Sequence, residues 1–160
     1  MTIREVLINI RERLQNAGIE DFEYESWAFL DWKLHIDRAE FYMNPNGEVK
    51  EELLAELESV LKQREQRVPL QYLMGECEFM GYDFYVDERV LIPRQDTECL
   101  VELAVEDIRN RKTQNRCESN NTADQKNEQK VKVLDLCTGS GCIGISVAKL
   151  CPDTEVTLAD

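Results

Sequence analysis

The sequence predicts an α + α/β chain: a helical bundle domain first, then a β-hairpin linker, then the opening of a parallel βαβ sheet. Three observations predict it. Apolar residues recur at helical spacing through the first 74 or so residues, alternating aromatics surround Gly81, and Val131 to Asp160 reads VKVLDLCTGSGCIGISVAKLCPDTEVTLAD. The last stretch is a strand, a glycine turn, a helix and a second strand ending on an acid.

The chain opens on a capping box, Thr2 with Glu5, and Ile3, Val6, Leu7, Ile10 and Leu14 then share one helix face up to Gly18. A second helix runs from Asp21 to about Leu34, its aromatics (Phe22, Tyr24, Trp27, Phe29, Trp32) reading as core, and His35 ends it as a capping or packing residue. Asp37 to Met43 adds a short helix before the Asn44-Pro45-Asn46-Gly47 turn. Glu48 to about Gln66 is the longest helix, with Val49, Leu53, Leu54, Leu57, Val60 and Leu61 inward and a charged, solvated face outward. Pro69 to Met74 makes a last helical turn, closed by Gly75. Residues 1–74 therefore form a helical domain with no visible chemistry, which reads as an adaptor.

Residues 75–95 change period and predict the linker, a hairpin of Glu78 to Met80 and Tyr82 to Val86 followed by an extended piece at Val90 to Ile92. From residue 96 the third part begins. Asp96 is placed to cap a helix running to about Arg111 on Leu100, Leu103, Val105 and Ile108. Lys112 to Lys130 has almost no apolar residue and reads as a mobile surface loop. Val131, Val133, Leu134 and Leu136 then read as a buried parallel strand, Ile143, Val147 and Leu150 as one face of a helix stopped by Pro152, and Glu155 to Ala159 as the second strand.

Bulk properties exclude several functions. The formal net charge of −13 over 160 residues opposes binding to a nucleic-acid backbone, so a protein or small-molecule partner is expected. No stretch approaches a membrane span and no leader precedes the first helix, so the cytoplasm is the expected location; a monomer is the expected state. Six cysteines without a C-x-x-C pair and a single histidine argue for reduced, mostly buried thiols rather than disulfides or zinc.

The βαβ unit carries the chemistry. Glycine lets a ligand approach the backbone, a helix N-terminus offers unpaired N–H groups, and an acid at a strand tip accepts ribose hydroxyls. Gly139-x-Gly141-x-x-Gly144 with Asp160 about twenty residues on satisfies the dinucleotide fingerprint, which would make this an NAD-dependent oxidoreductase. Asp135, just before the loop, favours instead a cofactor with a positive amino-acid end over a pyrophosphate. A non-catalytic helical binding module is the third class.

Asp135-x-x-Thr138-Gly139-Ser140-Gly141 resembles motif I of class I S-adenosylmethionine methyltransferases. With Pro69-Leu70-Gln71-Tyr72-Leu73-Met74-Gly75, Glu78-Phe79 and Leu91-Ile92-Pro93-Arg94-Gln95-Asp96-Thr97-Glu98, the whole chain resembles the protein-(glutamine-N5) methyltransferases of peptide chain release factors. That resemblance implies a release-factor-binding helical domain (1–74), a hairpin linker (75–95) and the start of a Rossmann-like class I methyltransferase domain (96–160). It implies S-adenosylmethionine as cofactor, held by Asp135, Cys137, Thr138, Gly139, Ser140, Gly141 and Asp160, with Arg94 and Thr97 near its methionine end. The substrate would be the glutamine of a Gly-Gly-Gln loop. Gln95 stands where the family has a second proline, and Cys137 where it has the first loop glycine. The family's Asn-Pro-Pro-Tyr motif, which holds the substrate amide, does not occur within these residues, so no catalytic residue is assigned and turnover by this stretch alone is not expected.

Overall fold

A computed structural model describes residues 1–119 and 130–160, with nothing said of side chains from 114 to 119. The chain separates into two compact units, Met1–Met74 and Gly75–Asp160.

The first unit is built from α1 (Ile3–Asn16), α2 (Phe22–Leu34), α3 (Arg38–Met43), α4 (Glu51–Glu65) and α5 (Leu70–Met74). The capping box forms as read: Glu5 N–H donates to Thr2 Oγ1, and Thr2 N–H donates to Glu5 Oε2 at 2.8 Å. Ile10, Leu14, Phe29, Leu30 and Leu61 are essentially fully buried and join the helices in one core. His35 caps α2 in a left-handed conformation, and Asp37 caps α3 through Glu40 N–H. The fourth helix begins three residues later than its periodicity predicts. Val49 N–H donates to Met1 O and Ile3 N–H to Gly47 O, so residues 47–49 are held extended against the N-terminus. Charged contacts tie the helices side to side: Arg13 bridges Glu58 and Glu65, and Arg64 holds the buried Glu25 with two bonds of 2.7 and 2.9 Å.

The second unit begins with β1 (Glu76–Phe79) paired antiparallel to β2 (Tyr82–Tyr85). The turn residues Met80 and Gly81 both have positive φ, as a type I′ turn requires. Phe79 and Phe84 point into the same core as Val101, Val105, Ile108, Cys142 and Val147, so the hairpin is packed into this unit rather than strung out from it. Val90 N–H closes a turn onto Asp87 O, and no strand forms at Val90 to Ile92, although Ile92 is buried.

Asp96 does not cap a helix. It lies inside a 3-10 turn, Gln95–Thr97, and α6 (Glu98–Ser119) follows directly. Glu98 takes up a different task, its carboxylate accepting the Met80 N–H at 2.6 Å and so fixing the hairpin tip to the start of α6. The helix also runs past Arg111 to Ser119. Lys, Gln, Arg and Glu are adequate helix formers, and no glycine or proline stops it. The remainder of the expected loop, residues 120–129, lies outside the described residues.

The parallel pair of β3 (Val131–Leu136) and β4 (Thr154–Ala159), crossed over by α7 (Cys142–Leu150), completes the unit. Its exposure corrects one expectation. Val131 and Val133 pack toward the core, but Leu134 and Leu136 are 63% and 69% exposed, so the strand is covered on one face only among the described residues. The thiols divide too: Cys142 and Cys151 are buried, whereas Cys99 and Cys137 are exposed. Among the described residues, no helix is long and apolar enough to cross a membrane.

A glycine loop between two parallel strands as the candidate cofactor site

Asp135 is the pivot of the loop. Its Oδ2 accepts the Thr138 hydroxyl at 2.7 Å and the Gly144 N–H at 2.9 Å, so one carboxylate oxygen joins the end of β3, the loop and the first turn of α7. The first turn of a helix has orphan N–H groups, and a carboxylate beside them is favoured by both hydrogen bonding and the helix dipole. The chain then bends sharply. Cys137, Gly139 and Gly141 have φ of 61°, 54° and 78°, three left-handed residues in five, and only the glycines adopt this without cost. Gly141 N–H closes the turn onto Thr138 O at 2.8 Å, and Thr138 N–H bonds Ala159 O at 3.1 Å, carrying the strand pairing into the loop.

The three fingerprint glycines do different work. A Cβ on Gly139 would meet nothing within 4 Å, which leaves the main chain open to a ligand. A Cβ on Gly144 would stand 2.2 Å from Leu158 Cδ2 and 3.0 Å from Asp135 Oδ2, so this glycine exists to let α7 approach the sheet. Gly141 supplies the left-handed N-cap of α7. At the open end, Asp160 Oδ1 stands 3.5 Å from the Gly139 nitrogen, directed at the loop across the strand tips.

The structure thus brings Asp135, Thr138, Gly139, Gly141 and Asp160 together. Ser140 is half-buried within the turn and Cys137 is exposed at its start. Arg94 and Thr97 are joined to each other, Thr97 N–H to Arg94 O at 2.9 Å, but by no hydrogen bond to the loop among the described residues. Cys77 Sγ lies 3.9 Å from Pro93 O, which brings β1 against the residue before Arg94, and burial pushes the Cys77 thiol up. The sequence reading missed the Asp135 to Gly144 bond and the Glu98 tie. A carboxylate nine residues before a helix glycine was the available signal for the first, and an acid in the first turn of α6 for the second.

A strand, a glycine loop, a helix and a second strand with an acid at its tip, following a helical domain in the chain, are the opening of a Rossmann-like α/β domain. Comparison with known proteins agrees for both parts. Residues 5–75 match the family described as the PrmC N-terminal domain, and residues 102–160 match a family described as lysine methyltransferase. All 160 residues align at 37% identity with the release factor glutamine methyltransferase of Clostridium acetobutylicum, covering 50% of that protein. The corresponding protein of Geobacter sulfurreducens is 36% identical over 155 residues, 97% of this chain and 48% of its own length. A bifunctional methyltransferase of Rickettsia typhi is 31% identical over 99% of the chain and 31% of its own length. The chain is thus similar over its whole length to release factor glutamine methyltransferases, and spans about half the length of those it matches.

Proposed function

We propose that this chain provides the substrate-docking and cofactor-binding parts of an S-adenosylmethionine-dependent methyltransferase. Its acceptor would be the side-chain amide of glutamine in the Gly-Gly-Gln loop of a peptide chain release factor, in the cytoplasm. The observation that carries the reading is the open Gly139 main chain, facing the Asp160 carboxylate across a loop braced from below by Asp135. When bound, the cofactor supplies an electrophilic methyl group on a sulfonium.

This chain's residues do the holding. Asp160 accepts the two ribose hydroxyls, exchanging its long contact with Gly139 N–H for shorter ones. Asp135 keeps its two loop bonds while its charge lies beneath the turn, which favours a cationic amino-acid end and repels a pyrophosphate. Arg94, which is exposed, pairs with the methionine carboxylate, with Thr97 holding its backbone. The methyltransferase names of both relatives and matched model favour this cofactor over NAD. Residues 1–74 serve as the release-factor-binding domain, adding contact area and orientation that a single glutamine side chain lacks. Residues 75–95 link that domain to the cofactor-binding part, 96–160.

Calorimetry on the full-length protein tests the reading, with S-adenosylmethionine binding expected and NAD binding not. Asp160→Ala weakens S-adenosylmethionine by about 1.5–3 kcal/mol, as for a lost charged hydrogen bond. Arg94→Ala weakens it similarly if Arg94 touches the cofactor; a lower melting temperature with an unchanged Kd would make Arg94 a structural residue only. NAD binding in place of S-adenosylmethionine overturns the proposal.

A further inference from the structure

We propose that Asn46 is a site of spontaneous covalent modification, in which the Gly47 nitrogen displaces the side-chain amide, and that the rearranged product unfastens the first turn of α1. Among the asparagines of the sequence, Asn46 alone is followed by glycine. It is exposed, between α3 and α4, and its side chain makes no hydrogen bond among the described residues. Packing requires the glycine: a Cβ on Gly47 would stand 2.5 Å from Asn44 Nδ2 and 3.2 Å from Ile3 Cδ1. The same missing side chain leaves the Gly47 nitrogen unhindered next to the Asn46 carboxamide.

This turn also caps a helix. Gly47 O accepts the Ile3 N–H at 2.9 Å and Pro45 O the Arg4 N–H at 3.0 Å, so donors that the start of α1 leaves unpaired find their partners on either side of residue 46. Val49 N–H, bonded to Met1 O at 3.0 Å, closes the clasp. In the reaction the Gly47 nitrogen gives its proton to solvent and bonds to Asn46 Cγ. The Cγ–Nδ2 bond breaks, and the side-chain nitrogen takes up a proton and leaves as ammonia. Water then opens the cyclic imide, at Cγ to give aspartate or at the main-chain carbonyl to give isoaspartate, which carries an extra methylene in the backbone. The two products differ in consequence. Aspartate keeps the backbone, and its charge sits near the N-terminus of α1, where a negative charge is favoured. Isoaspartate shifts the Pro45 and Gly47 carbonyls relative to each other, so Ile3 and Arg4 lose their joint partners. Gly47 N–H donates to Asn44 O at 3.1 Å, and this turn bond opens before attack, which makes the folded chain react more slowly than an unfolded one. Asn44 has no such nucleophile after it, because the Pro45 nitrogen carries no hydrogen.

The test holds the full chain folded at mildly alkaline pH for days, digests it, and fragments the peptides by electron transfer, which separates aspartate from isoaspartate. Both acids are expected at residue 46, with an intact amide at Asn44 and less conversion at Asn16 and Asn110, which lie in α1 and α6. Hydrogen exchange at Ile3, Arg4 and Val49 should quicken at least about tenfold in the isoaspartate form, as for local opening of one capped turn. Fresh Asn46→Asp should keep the parent's protection, and Asn46→Ser should keep it through the same incubation. An amide retained at residue 46 of the folded chain, while a sample unfolded in guanidinium is converted, overturns the proposal. So does conversion no greater than at Asn16, or an isoaspartate form as protected as its parent. Loss of protection in fresh Asn46→Asp equal to that of the isoaspartate form would trace the effect to charge and overturn the backbone mechanism.

Discussion

The helical unit and the sheet unit solve the same problem, covering apolar surface, to different extents. In Met1–Met74 the apolar stripes of α1, α2 and α4 pack on one another, and arginines bind the helices laterally where leucines end. In Gly75–Asp160 the core between the hairpin, α6 and α7 is equally dry, yet the sheet beyond it is half covered and its loop is open. The difference separates two uses of free energy. One unit spends its burial on self-sufficiency, and the other keeps an exposed main chain and a strained loop where a ligand would sit.

The largest effect expected lies in the helical unit. Glu25 is 8% exposed and its carboxylate is held by Arg64. Arg64→Ala leaves that carboxylate buried without a partner, which costs about 3–5 kcal/mol. Chemical unfolding followed by Trp27 and Trp32 fluorescence should show the full loss in this unit. A loss under about 1 kcal/mol would mean that Glu25 reaches water once Arg64 is gone, and that the unit is less closed than its packing indicates.

Next comes Gly144→Ala in the sheet unit. The added methyl overlaps Leu158 Cδ2 and presses on Asp135, for a cost of about 1–3 kcal/mol. Leu158→Ala in the same chain should recover most of it, since that side chain is 41% exposed and its loss is cheap. Failure of the rescue would place the strain at Asp135 instead, and hydrogen exchange at Gly144 N–H would then rise.

Acid distinguishes the units by a smaller amount. Hydrogen bonds from Arg13 hold the Glu58 and Glu65 carboxyls below the ordinary value of 4.5, burial opposing them only in part. A depressed folded-state pKa gives stability that is present above the unfolded value and lost as pH falls through the folded one. Stability of the helical unit should therefore fall from about pH 4.5 downward. Glu58 and Glu65 are 44% and 31% exposed, so screening limits the effect to about 1 kcal/mol or less. Arg13→Gln should flatten the slope, seen as melting temperatures of the two proteins that converge as pH falls below 4.5.

Local signals were read well and tertiary ones poorly. The α1 capping box, His35 as a residue that ends α2 and the strand–loop–helix–strand order all depend on neighbours within a few residues, and all stand. The start of α4 moved because residues 47–49 pair with the N-terminus, a contact 45 or so residues long that periodicity does not register. Asp135 is legible as an acid just before the loop, but its bond to Gly144 N–H follows from how closely α7 crosses the strand. The exposure of Leu134 and Leu136 was illegible for the same reason: VKVLDL alternates around Lys132 and Asp135, and only the sheet's partners decide which face is covered.

The smallest effect tests the strained end of the comparison. Cys137 occupies a left-handed conformation, φ 61°, at an exposed position where the family resemblance expects glycine. A side chain there costs about 1–2 kcal/mol, while glycine surrenders part of that gain through its more flexible unfolded chain. Cys137→Gly should therefore stabilise the sheet unit by about 0.5–1 kcal/mol and leave the helical unit unchanged. Cys99, exposed on α6, provides the comparison for a parallel experiment with a thiol-alkylating reagent. Both thiols should react in the ligand-free full-length protein, and saturating S-adenosylmethionine should protect Cys137 alone. A stabilised variant with no protection of Cys137 would make the strain a property of the turn and not of the ligand site; protection without stabilisation would show that the loop relaxes around the thiol.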